Sequence, residues 1–349
     1  MLKAAYCRYQ LNFNFVAITS RQSMTEKETY FIKVWDTEAP ERYGVGECAI
    51  FRGLSADDTV DYQSKIAYIS DNISQISQPD IKESSIRFGL ETAFNDLHNG
   101  GKRIIFPTDW IHQDKGIEIN GLVWMGDINT MRSRLREKIA DGYRCIKIKI
   151  GALDFDSEIE LLKLIREEYS ERDIQLRLDA NGAFTPGNAL RHIDRLAKYD
   201  IHSLEQPVKP NQWKGMKEIC RYSPIPIALD EELIGNMNYD HRCWLLDSIL
   251  PQYIILKPSL CGGFSTADGW IKDAVDREIG WWATSALESD IGLNAIAQWV
   301  STKNISIPQG LGTGMLYTNN ITSPLLVNHS ELKYDPNKSW DLSHLQWTN

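Results

Sequence analysis

The chain has 349 residues, 42% apolar and 24% charged, enough for about two domains with a sizeable core. With 47 acidic against 38 basic residues the net charge is −9, which excludes a protein built chiefly to neutralise nucleic-acid phosphate or to dock on anionic lipid. Cys7, Cys48, Cys145, Cys220, Cys243 and Cys261 form no C-x-x-C pair and read as reduced and buried. Arg8 and Gln10 interrupt any apolar run at the N-terminus, and no uncharged apolar stretch reaches the roughly 18 residues of a membrane span. A cytoplasmic protein with no nucleic-acid or membrane partner is expected; subunit number is not legible.

The first residues predict strands over 3–10, 29–35 and 43–49, then a helix over 84–97 whose Ile86, Leu90, Ala93, Phe94 and Leu97 share one face. Strands followed by helices suggest an α+β domain over 1–116, closed by Asn99-Gly100-Gly101 and Pro107. From 117 to 312 short β-rich runs alternate with amphipathic ones. Strands are expected over 118–124, 145–150, 175–179, 202–206, 226–230, 253–257 and 281–285, with a fainter eighth over 305–309. The recurrence every ~25 residues predicts a (β/α)7-8 barrel of TIM type, an α/β fold. No G-x-G-x-x-G supports the competing doubly wound sheet. A helix over 157–168, a helix start at Pro186 and a helix end at Gly142 fill the gaps.

Ionisable groups stand at the strand ends, the face of a barrel where catalytic residues collect. In Ile146-Lys147-Ile148-Lys149-Ile150 alternation sends both lysines to one face and the isoleucines to the other. Inside a barrel the lysines point inward; on an edge strand they would face solvent. Asp179, Glu205 and Asp230 close three consecutive strands, and a single such residue could equally cap a helix. Together they would repel one another without a cation, and an all-oxygen donor set suits Mg2+, with Mn2+ as a substitute; no histidine joins it, which disfavours zinc. Lys149 and Lys257 would flank the metal, their pKa lowered by burial and the cation, as a device for removing a proton next to a carboxylate. Glu231 and Glu232 compete with Asp230, but alternation along a continuing strand sends Glu231 to the opposite face. Trp281 and Trp282 read as packing, and Cys261-Gly262-Gly263 as a tight turn.

Lys147-Ile148-Lys149, Asp179-Ala180-Asn181, Leu204-Glu205-Gln206-Pro207, Asp230-Glu231 and Ile255-Leu256-Lys257-Pro258 resemble, in order and spacing, the enolase superfamily and its muconate-lactonising branch. Lys257-Pro258-Ser259-Leu260, Ser285-Ala286-Leu287-Glu288-Ser289 and Asn120-Gly121-Leu122-Val123-Trp124 are most similar to the o-succinylbenzoate synthase family of that branch. The D-x-D of the related dipeptide epimerases is replaced by Gly310-Leu311-Gly312-Thr313-Gly314. The resemblance implies an α+β cap formed by 1–116 and by 313–349 returning to it. It implies Mg2+ on Asp179, Glu205 and Asp230, and a small carboxylate substrate, 2-succinyl-6-hydroxy-2,4-cyclohexadiene-1-carboxylate. Lys149 would be the base in a syn dehydration through an enediolate, in menaquinone biosynthesis, with Lys257 stabilising charge from across the ring. Lys147 and Arg177 would assist Lys149 and orient the carboxylates, or merely balance their charge. Asn181 would bond near the metal, and Ser285 and Ser289 would receive the succinyl carboxylate or cap a helix. The cap loops over 20–24 and 51–53 would touch substrate. A dipeptide epimerase or N-acylamino acid racemase on the same scaffold is the alternative.

Overall fold

The computed structural model describes residues 1–18, 23–112, 115–151 and 154–348. Three long strands, β1 (Leu2–Ile18), β2 (Ser23–Asp36) and β3 (Ala39–Cys48), form an antiparallel sheet in the order β1-β2-β3. Helices α1 (Tyr62–Asp71) and α2 (Ser84–His98) follow. The apolar stripe of α2 packs with α1 against Tyr30, Ile32, Val34 and Cys48 of the sheet. The approach is close because β3 presents glycines. A Cβ on Gly46 would lie 1.8 Å from the Gly89 carbonyl oxygen of α2, and one on Gly44 the same distance from that of Ala93. The strands run longer than expected, and α1 was not expected at all.

The barrel follows in chain order: β4 (Ile117–Glu118), β5 (Gly121–Val123), α3 (Ile128–Ala140), β6 (Cys145–Lys149), α4 (Phe155–Glu168), β7 (Gln175–Asp179), α5 (Ala189–Leu196) and β8 (Ile201–Glu205). Then come α6 (Trp213–Tyr222), β9 (Ile227–Leu229), α7 (Tyr239–Ile249), β10 (Tyr253–Leu256), α8 (Pro258–Cys261), α9 (Gly263–Val275), β11 (Gly280–Ala283) and α10 (Asp290–Ser301). β5 to β11 make one parallel sheet in sequential order, the arrangement that crossover helices impose. Ile146, Ile148 and Ile150 are buried in the cluster that includes Leu161, Leu162 and Ile165 of α4. The alternate residues Lys147 and Lys149 therefore face the barrel interior.

Two expected strands change form. The run over 118–124 splits into β4 and β5, and β4 pairs with a strand near the C-terminus (Glu331–Tyr334) rather than with the barrel. No strand forms over 305–309, where Pro308 has no N–H for a ladder. Isolated bridges instead join Ile119 to Gln309 and Thr284 to Gly310, so two residues close the ring between β5 and β11. The chain ends with a hairpin, β12 (Leu325–Asn328) and β13 (Glu331–Tyr334), and then reaches the first sheet. There Leu345 packs in one cluster with Cys7, Phe31 and Val45, and the Thr348 N–H donates to the Tyr6 carbonyl at 2.9 Å. Five of the six free cysteines are buried, while Cys243 is half-buried. Among the described residues no helix is long and apolar enough to cross a membrane.

Because Gly46 meets backbone rather than a flexible side chain, Gly46→Ala should cost about 3 kcal/mol or more in urea denaturation. Parental stability would mean that α2 does not press on β3 as described.

Candidate active site

Strand register sets the site. Lys149 pairs with Asp179, and Asp179 with Glu205, which puts one cation and two carboxylates in a row across β6, β7 and β8. Glu205 pairs with Ala228, so Asp230 follows two residues along, just past β9, and Lys257 just past β10. Asp179, Glu205 and Asp230 are at most 2% exposed. Ammonium groups interleave them. Lys147 Nζ lies 3.0 Å from Asp179 Oδ2 and 3.0 Å from Glu205 Oε2. Lys149 Nζ donates to Asp179 Oδ2 at 2.8 Å and to Asn181 Oδ1 at 2.7 Å. Lys257 Nζ pairs with Asp230 Oδ2.

These contacts fix the protonation pattern. Burial alone would raise the Asp179 carboxyl, but Lys147 and Lys149 outweigh it and hold it far below the usual range. Glu205 is pushed well above its usual value, first by burial and then by the charges of Asp179 and Asp230, with Lys147 a partial offset. Burial would lower Lys147 and Lys257; the surrounding carboxylates reverse this and hold both above the ordinary lysine value.

The donor set can be judged for a metal. Among the described residues no three His, Cys, Asp or Glu side chains are gathered tightly enough to hold an ion as they stand, because lysines bridge the carboxylates. The chemistry nevertheless fits a hard divalent cation. The candidate ligands are all oxygen and buried at one barrel mouth.

A cavity of about 440 Å³ opens above this layer. Phe15, Met24 and Phe51 line it from the N-terminal region, Leu122 and Trp124 from the first barrel strand, and Lys149, Asn181 and Lys257 from its floor. Of the cap-loop residues expected to touch substrate, Met24 and Phe51 line this cavity, while residues 20–22 lie outside the described residues. Gly310, Gly312 and Thr313, from the segment that carries no acid, line it as well.

At Ser289 one of the two expected readings holds, while the expectations for Arg177 and Glu231 need correction. Ser285 lines the cavity, but Ser289 does not. The Ser289 hydroxyl caps α10, accepting from the Ile291 N–H at 3.2 Å, and donates to Glu47 Oε2 at 2.6 Å. Ser289 is thus a structural cap. Arg177 makes no hydrogen bond to the carboxylates; its guanidinium stacks 4.2 Å from the Trp282 ring and donates to the Pro308 carbonyl at 2.9 Å, beneath the site. Finally, Glu231 is not sent away. β9 ends at Leu229 and a single 3-10 turn spans Glu231–Leu233, so alternation lapses and Glu231 returns to accept from Asn181 Nδ2 at 3.1 Å.

Two residues were missed. Phe15 lies in the unpredicted extension of β1, where alternating Leu11, Phe13, Phe15 and Ala17 carried the signal. Glu288 accepts from Ser259 Oγ and from the Ala286 N–H at 2.7 Å, which ties the Ser285–Leu287 loop to the segment after Lys257.

Residues 130–338 match the family described as enolase C-terminal domain-like. The chain is 42% identical to an o-succinylbenzoate synthase of Desulfotalea psychrophila, over 94% of this chain and 97% of that one. The crystal structure of MenC from Desulfotalea psychrophila LSv54 superposes with a TM-score of 0.85 at 38% identity, over 95% of this chain and 99% of that one. An L-Ala-D/L-Glu epimerase of Francisella tularensis subsp. novicida is 27% identical, over 64% of this chain and 62% of the relative.

If Ser289 is a cap and not a substrate contact, Ser289→Ala should lower stability by about 1–2 kcal/mol and leave KM within about twofold. A KM rise of tenfold at unchanged stability would return Ser289 to the substrate.

Proposed function

The chain belongs to the enolase superfamily, and we propose that it is a hydro-lyase that syn-dehydrates 2-succinyl-6-hydroxy-2,4-cyclohexadiene-1-carboxylate to o-succinylbenzoate, in menaquinone biosynthesis. The observation that carries this reading is the full-length likeness at 42% identity, joined to Lys149 and Lys257 flanking one buried carboxylate layer.

Asp179, Glu205 and Asp230 would hold Mg2+, which when bound supplies positive charge against the substrate carboxylate. The rest is done by the chain. Lys149 in its amine form takes the proton α to that carboxylate, and the C–H electron pair moves into the ring. Lys149 then returns the proton to the hydroxyl leaving on the same face, so hydroxide departs as water and the ring becomes aromatic. Lys257 stays an ammonium and faces the developing negative charge from the other side, donating where charge appears. Phe15, Phe51 and Trp124 give the ring an apolar wall that excludes water. Ser285 lines the cavity with its hydroxyl donating to Glu288 Oε2 at 2.5 Å, and the succinyl carboxylate would lie against this loop. The six unpaired cysteines support a reducing, cytoplasmic setting.

Two lysines on opposite faces also suit 1,1-proton transfer, the epimerase chemistry. Against it stands the Gly310–Gly314 segment, which offers no acid to an α-ammonium group. Incubated with the cyclohexadiene carboxylate and Mg2+, the protein should release o-succinylbenzoate, lose that activity in EDTA and regain it with Mg2+ or Mn2+. Exchange of a dipeptide α-proton in D2O, with the cyclohexadiene left untouched, would replace this reading by epimerisation.

A further inference from the structure

We infer that Glu231 is a positioning residue for Lys149, acting through the side-chain amide of Asn181; this rests on Lys149 being the base. Lys149 Nζ donates to Asn181 Oδ1 at 2.7 Å, and Asn181 Nδ2 donates to Glu231 Oε1 at 3.1 Å. An ammonium only donates and a carboxylate only accepts, so one orientation of the amide satisfies both neighbours. The reversed amide would set donor against donor and acceptor against acceptor. Asn181 is 7% and Glu231 5% exposed, which leaves little water to repair that mismatch.

The backbone supports the same arrangement. The Asn181 N–H donates to Asp179 Oδ1 at 3.0 Å, and its φ of +44° is a left-handed conformation that asparagine tolerates well. Only the side-chain amide remains to be oriented, and Glu231 orients it. Glu231 reaches it because the chain turns straight after Asp230. Without that acceptor the amide can turn, and Lys149 keeps only its contact with Asp179. The amine is then drawn toward a metal-site carboxylate and away from the substrate proton. Glu231 touches neither substrate nor proton in this scheme.

Two variants separate orientation from charge. Glu231→Leu removes the acceptor and keeps bulk; Glu231→Gln keeps an acceptor and removes the charge. The leucine variant should lose about 10- to 100-fold in kcat, with KM and the Mg2+ half-saturation point within about twofold, and the glutamine variant should recover most of the loss. A second readout needs no activity. In protein labelled with 15N-asparagine, the Asn181 side-chain amide signal, identified by its loss in Asn181→Ala, should be protected from solvent exchange in the parent. It should lose that protection in Glu231→Leu and regain it in Glu231→Gln. If the dehydration assay fails altogether, the amide signal still decides the relay. Parental kcat with an unmoved amide signal in Glu231→Leu would overturn the proposal. So would Mg2+ binding weakened tenfold at unchanged saturated kcat, because Glu231 would then be a metal ligand.

Discussion

Carboxylates buried side by side at a barrel mouth need positive charge, and much of this architecture follows from that need. Asp179, Glu205 and Asp230 sit where water cannot screen them. Three lysines from two other strand positions reach between them. The barrel makes this possible because parallel neighbours in register set side chains of adjacent strands level with one another. A solitary buried carboxylate would simply take up a proton. The same group in a row with two ammonium groups keeps its charge, as Asp179 does, while Glu205 with a shared lysine is driven the other way. The net charge of −9 says nothing of this, because the positive charge is local.

The antiparallel sheet is held to the barrel by a second buried polar system. Glu47 of β3 accepts from Thr29 Oγ1 at 2.8 Å within its own sheet, and from the Ser289 N–H and the Gly292 N–H, both at 3.0 Å, across the interface. Lys27 lies buried beside it. Burial pushes the Glu47 carboxyl up, and Lys27 pulls it back down. The loop so anchored includes Ser285 and Leu287, which line the cavity. Phe15 of β1 also packs on Trp124 beside the barrel, ring centroids 5.7 Å apart.

The barrel strands were legible because each is a short apolar run ending in an ionisable residue, and the Ile-Lys-Ile-Lys-Ile alternation declared its own inner face. The α2 stripe was legible for the same reason. What escaped were features set by neighbours. The eighth strand position is filled by two bridging residues that no propensity marks. The return of Glu231 depends on where β9 stops, and three residues of strand give no warning of that. Arg177 sits on the expected face, yet its partners are Trp282 and a loop carbonyl, which spacing cannot foretell. Helix α1 carries its apolar signal in Tyr62, Ile66 and Ile69, diluted by the polar residues between them.

The proposed chemistry rests on one amine taking and returning one proton. The rate of o-succinylbenzoate formation by Lys149→Ala, measured against the parent at saturating Mg2+ and equal thermal stability, tests that most directly. The account predicts a fall in kcat on the order of 10³-fold or more, the scale of a lost general base that also serves as the acid. Dehydration at the parental rate would contradict it.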